Sequence, residues 1–153
     1  AGIEIPKDVT DAERLKLVQE RLEAGDDGVR RIWKTIGCYM GYGIAHYADF
    51  YDVPTSLVQR VILRESDHNA TARNGRYYGL MQIDPRTAQT MGYRGHDDGL
   101  LDADTNLKYA VKYLKGAWLV SDGDQDDAVR WYASGYYYEA KKMGLLEETG
   151  LRS

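Results

Sequence analysis

At 153 residues, 43% hydrophobic and 29% charged, the chain is long enough for one domain with a sizeable core and lacks the composition of a disordered one. Its formal charge of −4, with acids and bases interspersed, argues against a nucleic-acid partner that needs a basic stripe and against a polybasic membrane anchor. A single cysteine, Cys38, excludes an intramolecular disulfide, and the charge-free run from Thr35 to Ala48 falls short of the about 20 residues that span a bilayer.

Residues 1–9 carry no hydrophobic period and read as an arm. Thr10 with Glu13 forms a capping-box pattern, and Leu15, Val18 and Leu22 follow at helical spacing. Ala24 to Gly28 ends that helix. Val29, Ile32, Trp33, Ile36, Met40, Ile44 and Tyr47 then keep one face for about five turns, which predicts a candidate central helix. Gly37, Gly41 and Gly43 within it imply close packing, since glycine otherwise weakens a helix. Cys38 in the same segment reads as a buried, inert thiol.

Asp52-Val53-Pro54 breaks the pattern, with Pro54 suited to the first turn of a new helix. Leu57, Val58, Val61 and Ile62 mark its buried face, and Glu65 falls in register with them. Asn69 to Tyr78 reads as loop. Pro85 opens a short helix carrying Thr87, Ala88 and Met91, followed by a Gly-rich loop through Gly99. Leu107, Ala110, Val111, Leu114, Ala117 and Trp118 predict a helix starting at Asp102 or Thr105. Ser121 to Gly123 is a turn, and Asp126 and Asp127 suit the positive end of the next helix, with Ala128, Val129 and Tyr132 on it. A last helix near Tyr137 to Met143 ends at Gly144. No persistent strand alternation and no repeat occurs. The expected class is all-α, a compact bundle of short helices around a longer central one, in a single domain.

Three features carry candidate chemistry. Glu65 lies on an apolar face at a helix end, where burial and the negative helix terminus both raise a carboxyl pKa. A carboxyl kept protonated near neutrality suits a general acid, although an exposed glutamate held by Arg60 or Arg64 gives the same pattern. Gly79-Leu80-Met81-Gln82-Ile83-Asp84-Pro85 is an apolar run with one amide inside. A buried Gln82 needs partners, either a substrate or local backbone. The 13 Tyr and 3 Trp against one Phe suit a surface both apolar and wet, as a carbohydrate groove is, and suit a core edge equally. Tyr136-Tyr137-Tyr138 has the same two readings.

Metal sites find little support. Asp102-x-Asp104-x-Asn106 and Asp122-x-Asp124-x-Asp126 begin like calcium loops, but Leu107 and Asp127 stand where glycine is needed, and Tyr113 and Ala133 where the bidentate glutamate belongs. Helix caps and turns explain both. His46, His68 and His96 lack zinc-ligand spacing. No G-x-S-x-G or phosphate-binding Gly loop is present.

From residue 55 to 136 the chain resembles the soluble-type lytic transglycosylases, which share a lysozyme-like α fold. The residues that carry the likeness are Glu65-Ser66, the run Gly79 to Ile83 and Pro85 with Thr87-Ala88. Downstream follow Leu101-Asp102, Asn106-Leu107, Tyr113-Leu114 and Tyr132-Ala133-Ser134-Gly135. The resemblance implies cleavage of the β-1,4 bond between N-acetylmuramic acid and N-acetylglucosamine in peptidoglycan. Glu65 would act as acid and then as base on the muramyl 6-hydroxyl, closing a 1,6-anhydro ring, and the substrate's N-acetyl group would steady the positive charge. Met81, Gln82, Tyr132, Asn74, Tyr113 and Tyr78 are the implied substrate-binding residues.

Asn74 stands where the family usually has serine, and Ala133-Ser134 where it often has asparagine-alanine. Asp84 corresponds to the aspartate that positions water in the related g-type lysozymes, or else only caps the helix begun at Pro85. A hydrolytic muramidase and a non-catalytic glycan-binding module are therefore the alternatives. No cofactor or metal is implied. The expected partner is the glycan strand, with no nucleic acid and no membrane span, bound by a monomer. No leader opens the chain, so it is read as cytoplasmic or as a mature form; the resemblance favours a mature periplasmic or secreted protein of the cell envelope.

Overall fold

Among the described residues the helix on which most others pack is Ala103–Val120, and its sequence explains why. Asn106, Leu107, Ala110, Val111, Leu114, Gly116, Ala117 and Val120 are all buried, a stripe too wide to be covered by one neighbour. The computed structural model describes residues 40–152 together with Glu20. The arm at 1–9, the helix expected from Thr10, Cys38 and most of the 29–47 pattern lie outside the described residues. Residues 43–153 form one compact unit.

Residues 40–50 are helical (α1). Of that segment Ile44 and Ala48 are buried; most of the 29–47 pattern expected to be central lies outside the described residues, and among those the helix that meets the most partners is Ala103–Val120. Gly43 does sit at a close approach, since a Cβ there would lie 3.2 Å from Leu107 Cδ1, whereas a Cβ on Gly41 would meet nothing within 4 Å among the described residues. The chain then turns at Asp52 (φ 53°) into α2, Thr55–Ser66, with Pro54 at its N-cap. Leu57, Val58, Val61 and Ile62 are each no more than 1% exposed, the expected face. Burying a side chain of this size contributes about 1.5–3 kcal/mol.

The stretch expected as loop contains a small antiparallel hairpin, β1 (Arg73–Asn74) and β2 (Tyr77–Tyr78), turned at Gly75 (φ 59°). Strands of two residues leave no alternation to detect. Helix α3 is Pro85–Thr90, capped by Asp84. The expected Gly-rich loop ends in a 3-10 helix, Asp97–Leu101. Central helix α4, Ala103–Val120, is followed by α5 (Gln125–Ser134) and α6 (Tyr137–Met143), the last closed by Gly144 at φ 75°. Helices α3, α5, α6 and the 3-10 helix all pack on α4, and α2 packs on α5. Asp102 and Asp124 accept from Thr105 N–H and Asp127 N–H, so both aspartate clusters serve as helix caps. The all-α expectation holds, with strand among the described residues limited to the hairpin.

Candidate active site

Glu65 is the penultimate residue of α2, half-buried one turn beyond the Val61/Ile62 face. The helix stops directly after it because Asp67 adopts the left-handed conformation (φ 50°) and sends its N–H back to Leu63 O. Burial raises the carboxyl pKa above its ordinary value, opposed in part by the neighbouring Arg64 guanidinium. Among the described residues no group hydrogen-bonds the carboxylate, which leaves burial to dominate.

Facing Glu65's helix is a four-residue loop, Gly79 to Gln82, closed by paired hydrogen bonds between Tyr78 and Ile83, each 3.1 Å. Its shape is fixed from three sides. Ser66 Oγ, next to the acid, donates to Leu80 O at 2.7 Å. Asn106, fully buried on α4, accepts from Met81 N–H at 3.0 Å and donates to Tyr78 O and Leu100 O at 2.8 and 2.9 Å. Tyr132 on α5 donates its hydroxyl to Met81 O at 2.7 Å. Position 79 has to be glycine here. Its φ is 76°, and a Cβ would land on Asn106 Nδ2 and Leu100 O.

Behind the loop, Tyr132 is buried and packs edge-on against Tyr113 at 5.5 Å between ring centroids. Tyr113 in turn lies 4.7 Å from Tyr136, whose hydroxyl donates to Tyr113 O at 2.7 Å. Gly116 makes this stack possible, since a Cβ there would meet the Tyr136 ring. Burial pushes the Tyr113 phenol up to about 12. The Tyr132 phenol is raised well above its ordinary value, by burial first and then by the charge of nearby Glu65. Both stay neutral donors across the physiological range.

An open groove of about 200 Å³ runs between the hairpin, the start of α3 and the end of α5. Gln82, Asp84, Tyr113 and Tyr132, four of the residues singled out from sequence, line it. Glu65 is not among its lining residues and adjoins it through Tyr132. The other three lie elsewhere. Met81 is fully buried, so its contribution to the loop is its backbone. Asn74 donates to Gln82 Oε1 at 3.0 Å. Tyr78 is 6% exposed and turned to Arg73, whose guanidinium lies 4.5 Å over its ring.

Gln82 finds its partners within the chain: Asn74 on its oxygen, and Ala72 O and Gly79 O on its nitrogen at 3.0 and 2.9 Å. It sits at φ 50°, uncommon for a residue with a side chain. These bonds show what holds it there. Asp84 accepts from Arg86 N–H at 2.9 Å and pairs with Arg76 Nε at 3.2 Å, which is the capping role.

Sequence reading missed Arg76 and Tyr77, which also line the groove together with Ser134 of the Tyr132-to-Gly135 motif. Neighbouring residues of a strand point to opposite faces, so only one of Tyr77 and Tyr78 can reach it. It is Tyr77. Tyr137 and Tyr138, 46% and 83% exposed, stand apart from the buried Tyr136. His68 and His96 are exposed. Among the described residues no cluster of three or more His, Cys, Asp or Glu is arranged to hold a metal ion, and no helix is long and apolar enough to cross a membrane.

No solved structure matches the chain. Residues 43–145, well over half of it and including every site residue named above, match the family described as Transglycosylase SLT domain.

Proposed function

The chain belongs to the transglycosylase SLT domain family, and from that premise we propose that it is a peptidoglycan lytic transglycosylase with Glu65 as its only acid and base. Membership implies lytic-transglycosylase-like activity on peptidoglycan; the chemistry assigned to individual residues is our reading. Protonated Glu65 gives its proton to the glycosidic oxygen, the bond from that oxygen to the muramyl anomeric carbon breaks, and the N-acetyl group steadies the developing positive charge. The Glu65 carboxylate then takes the proton of the muramyl 6-hydroxyl while that oxygen bonds to the anomeric carbon. Glu65 ends protonated again, and no water is consumed.

The observation that carries this reading is the state of the two acids. Glu65 is half-buried with a raised pKa, as an acid that must donate near neutrality requires. Asp84, the acid that lines the groove, has one oxygen on the Arg86 N–H and the other against Arg76. Inverting hydrolysis needs a second carboxylate free to take a proton from water, and Asp84 is engaged in holding α3 and Arg76. Tyr113 and Tyr132 offer the groove a neutral aromatic wall suited to sugar. The substrate's position puts the protein in the cell envelope, periplasmic or secreted.

The test compares release of soluble fragments from purified peptidoglycan by the unaltered protein and by Glu65→Gln. The reading predicts a loss of about 10²–10⁴-fold with glycan binding retained. Unchanged release would remove Glu65 from the mechanism. An unaltered protein that binds the glycan and never cleaves it would be a binding module.

A further inference from the structure

Building on the proposed function, we infer that Arg76 forms a carboxylate-binding subsite in the groove, taking either the lactyl carboxylate of a peptide-free muramyl residue or a free carboxylate of its stem peptide. The guanidinium sits on the groove wall, and this chain, at a net charge of −4, has no general excess of cations to put one there. Its orientation is fixed twice over. Nε pairs with Asp84 Oδ2 at 3.2 Å, and one terminal nitrogen donates to Tyr77 Oη at 3.1 Å. The guanidinium carbon is 5.3 Å from the Tyr77 ring centroid.

Asp84 is itself held by the Arg86 N–H and is only 16% exposed in its side chain. It therefore orients the guanidinium from behind while Arg76 stays 69% exposed. Among the described residues the second terminal nitrogen has no acceptor. An arginine presents five N–H groups in a planar fork that matches a carboxylate, and three of those on this groove-lining side chain have no acceptor among the described residues. A neutral sugar has no group to match that charge. A muramyl residue does, through its lactyl ether or the peptide attached to it.

The experiment measures binding by calorimetry in the Glu65→Gln background, with and without Arg76→Gln. Three glycan strands serve as probes: peptide-free strands with free lactyl carboxylates, peptide-bearing strands, and peptide-free strands whose carboxylates are converted to methylamides. Arg76→Gln is expected to weaken binding to one or both charged strands about five- to tenfold and to change the neutral strand less than twofold. Loss confined to the first strand identifies the lactyl carboxylate, and loss confined to the second the peptide. Equal losses on all three, or none, would overturn the subsite.

Should Arg76→Gln not fold, Asp84→Asn carries the test. It keeps an acceptor oxygen for the cap but frees the guanidinium of its counter-charge, so charged strands should bind at least twofold more tightly and neutral ones should not. No such difference would overturn the proposal equally. Because these are binding measurements on a variant that does not cleave, they are independent of product chemistry. Failure of the unaltered protein to cleave would sink the proposed reaction and leave the subsite standing.

Discussion

Glu65 carries two consequences that its burial alone decides. Its pKa is held above the ordinary value in the folded chain, while the unfolded chain has the ordinary value. Below the unfolded pKa the carboxyl is protonated in both states and costs nothing. As pH rises through the folded pKa the unfolded state gains the ionised form first, so stability falls, and the cost is complete above the folded value. Glu65→Gln should therefore raise the melting temperature at pH 7, with the gain vanishing below about pH 4. Equal melting temperatures at all pH values would mean that the carboxyl is not held by burial. For the same reason the alkaline limb of kcat/KM should lie above the ordinary carboxyl range. Asp84 gives the complementary test. Asp84→Asn keeps an acceptor for the Arg86 N–H and should leave the anhydro product unchanged, whereas hydrolysed ends that the unaltered protein releases and Asp84→Asn does not would make Asp84 the water-positioning base. At this scale Glu65 was legible because it sits in register on an apolar helix. Arg76 and Tyr77 were not, because a hairpin turn and a two-residue strand have no period.

The element that holds the site together is the Gly79–Gln82 loop, and its dependence on α4 is the least legible part of the chain. From sequence Asn106 looked like part of an imperfect calcium loop or the first turn of a helix. In the structure its side chain makes three buried hydrogen bonds, to Met81 N–H, Tyr78 O and Leu100 O. Such pairing depends on a contact between residues 25 and 28 positions apart, which no local pattern encodes. Asn106→Ala orphans all three groups at about 1–3 kcal/mol for each buried polar group. A chemical denaturation curve should thus show a loss of at least about 3 kcal/mol; a loss under 1 kcal/mol would mean the loop is held without it. Gly79→Ala combines a φ of 76° with a collision against the same asparagine, and should destabilise by a similar amount. Ser66, read at first only as the partner of Glu65 in a motif, ties the acid's helix to that loop through Leu80 O.

At the scale of the whole molecule, residues 43–153 were read from their periodicity with few displacements. The faces of α2, α4 and α5 and the bounds of α6 follow the apolar spacing, since each of these helices turns its apolar stripe into the core. The 29–47 pattern looked dominant by length and lies mostly outside the described residues; among those, α4 meets the most partners, and a helix's partners are a property of the fold that its own stripe does not record. Around α4 the loop, the tyrosine stack and the end of α2 converge to leave one half-buried acid beside a groove whose own aspartate is already engaged. Mass analysis of the fragments released from purified peptidoglycan tests that arrangement most directly. Muramyl ends one water lighter than their hydrolysed counterparts, and absent from digests by Glu65→Gln, are the predicted result. Hydrolysed muramyl ends from the unaltered protein would contradict the account.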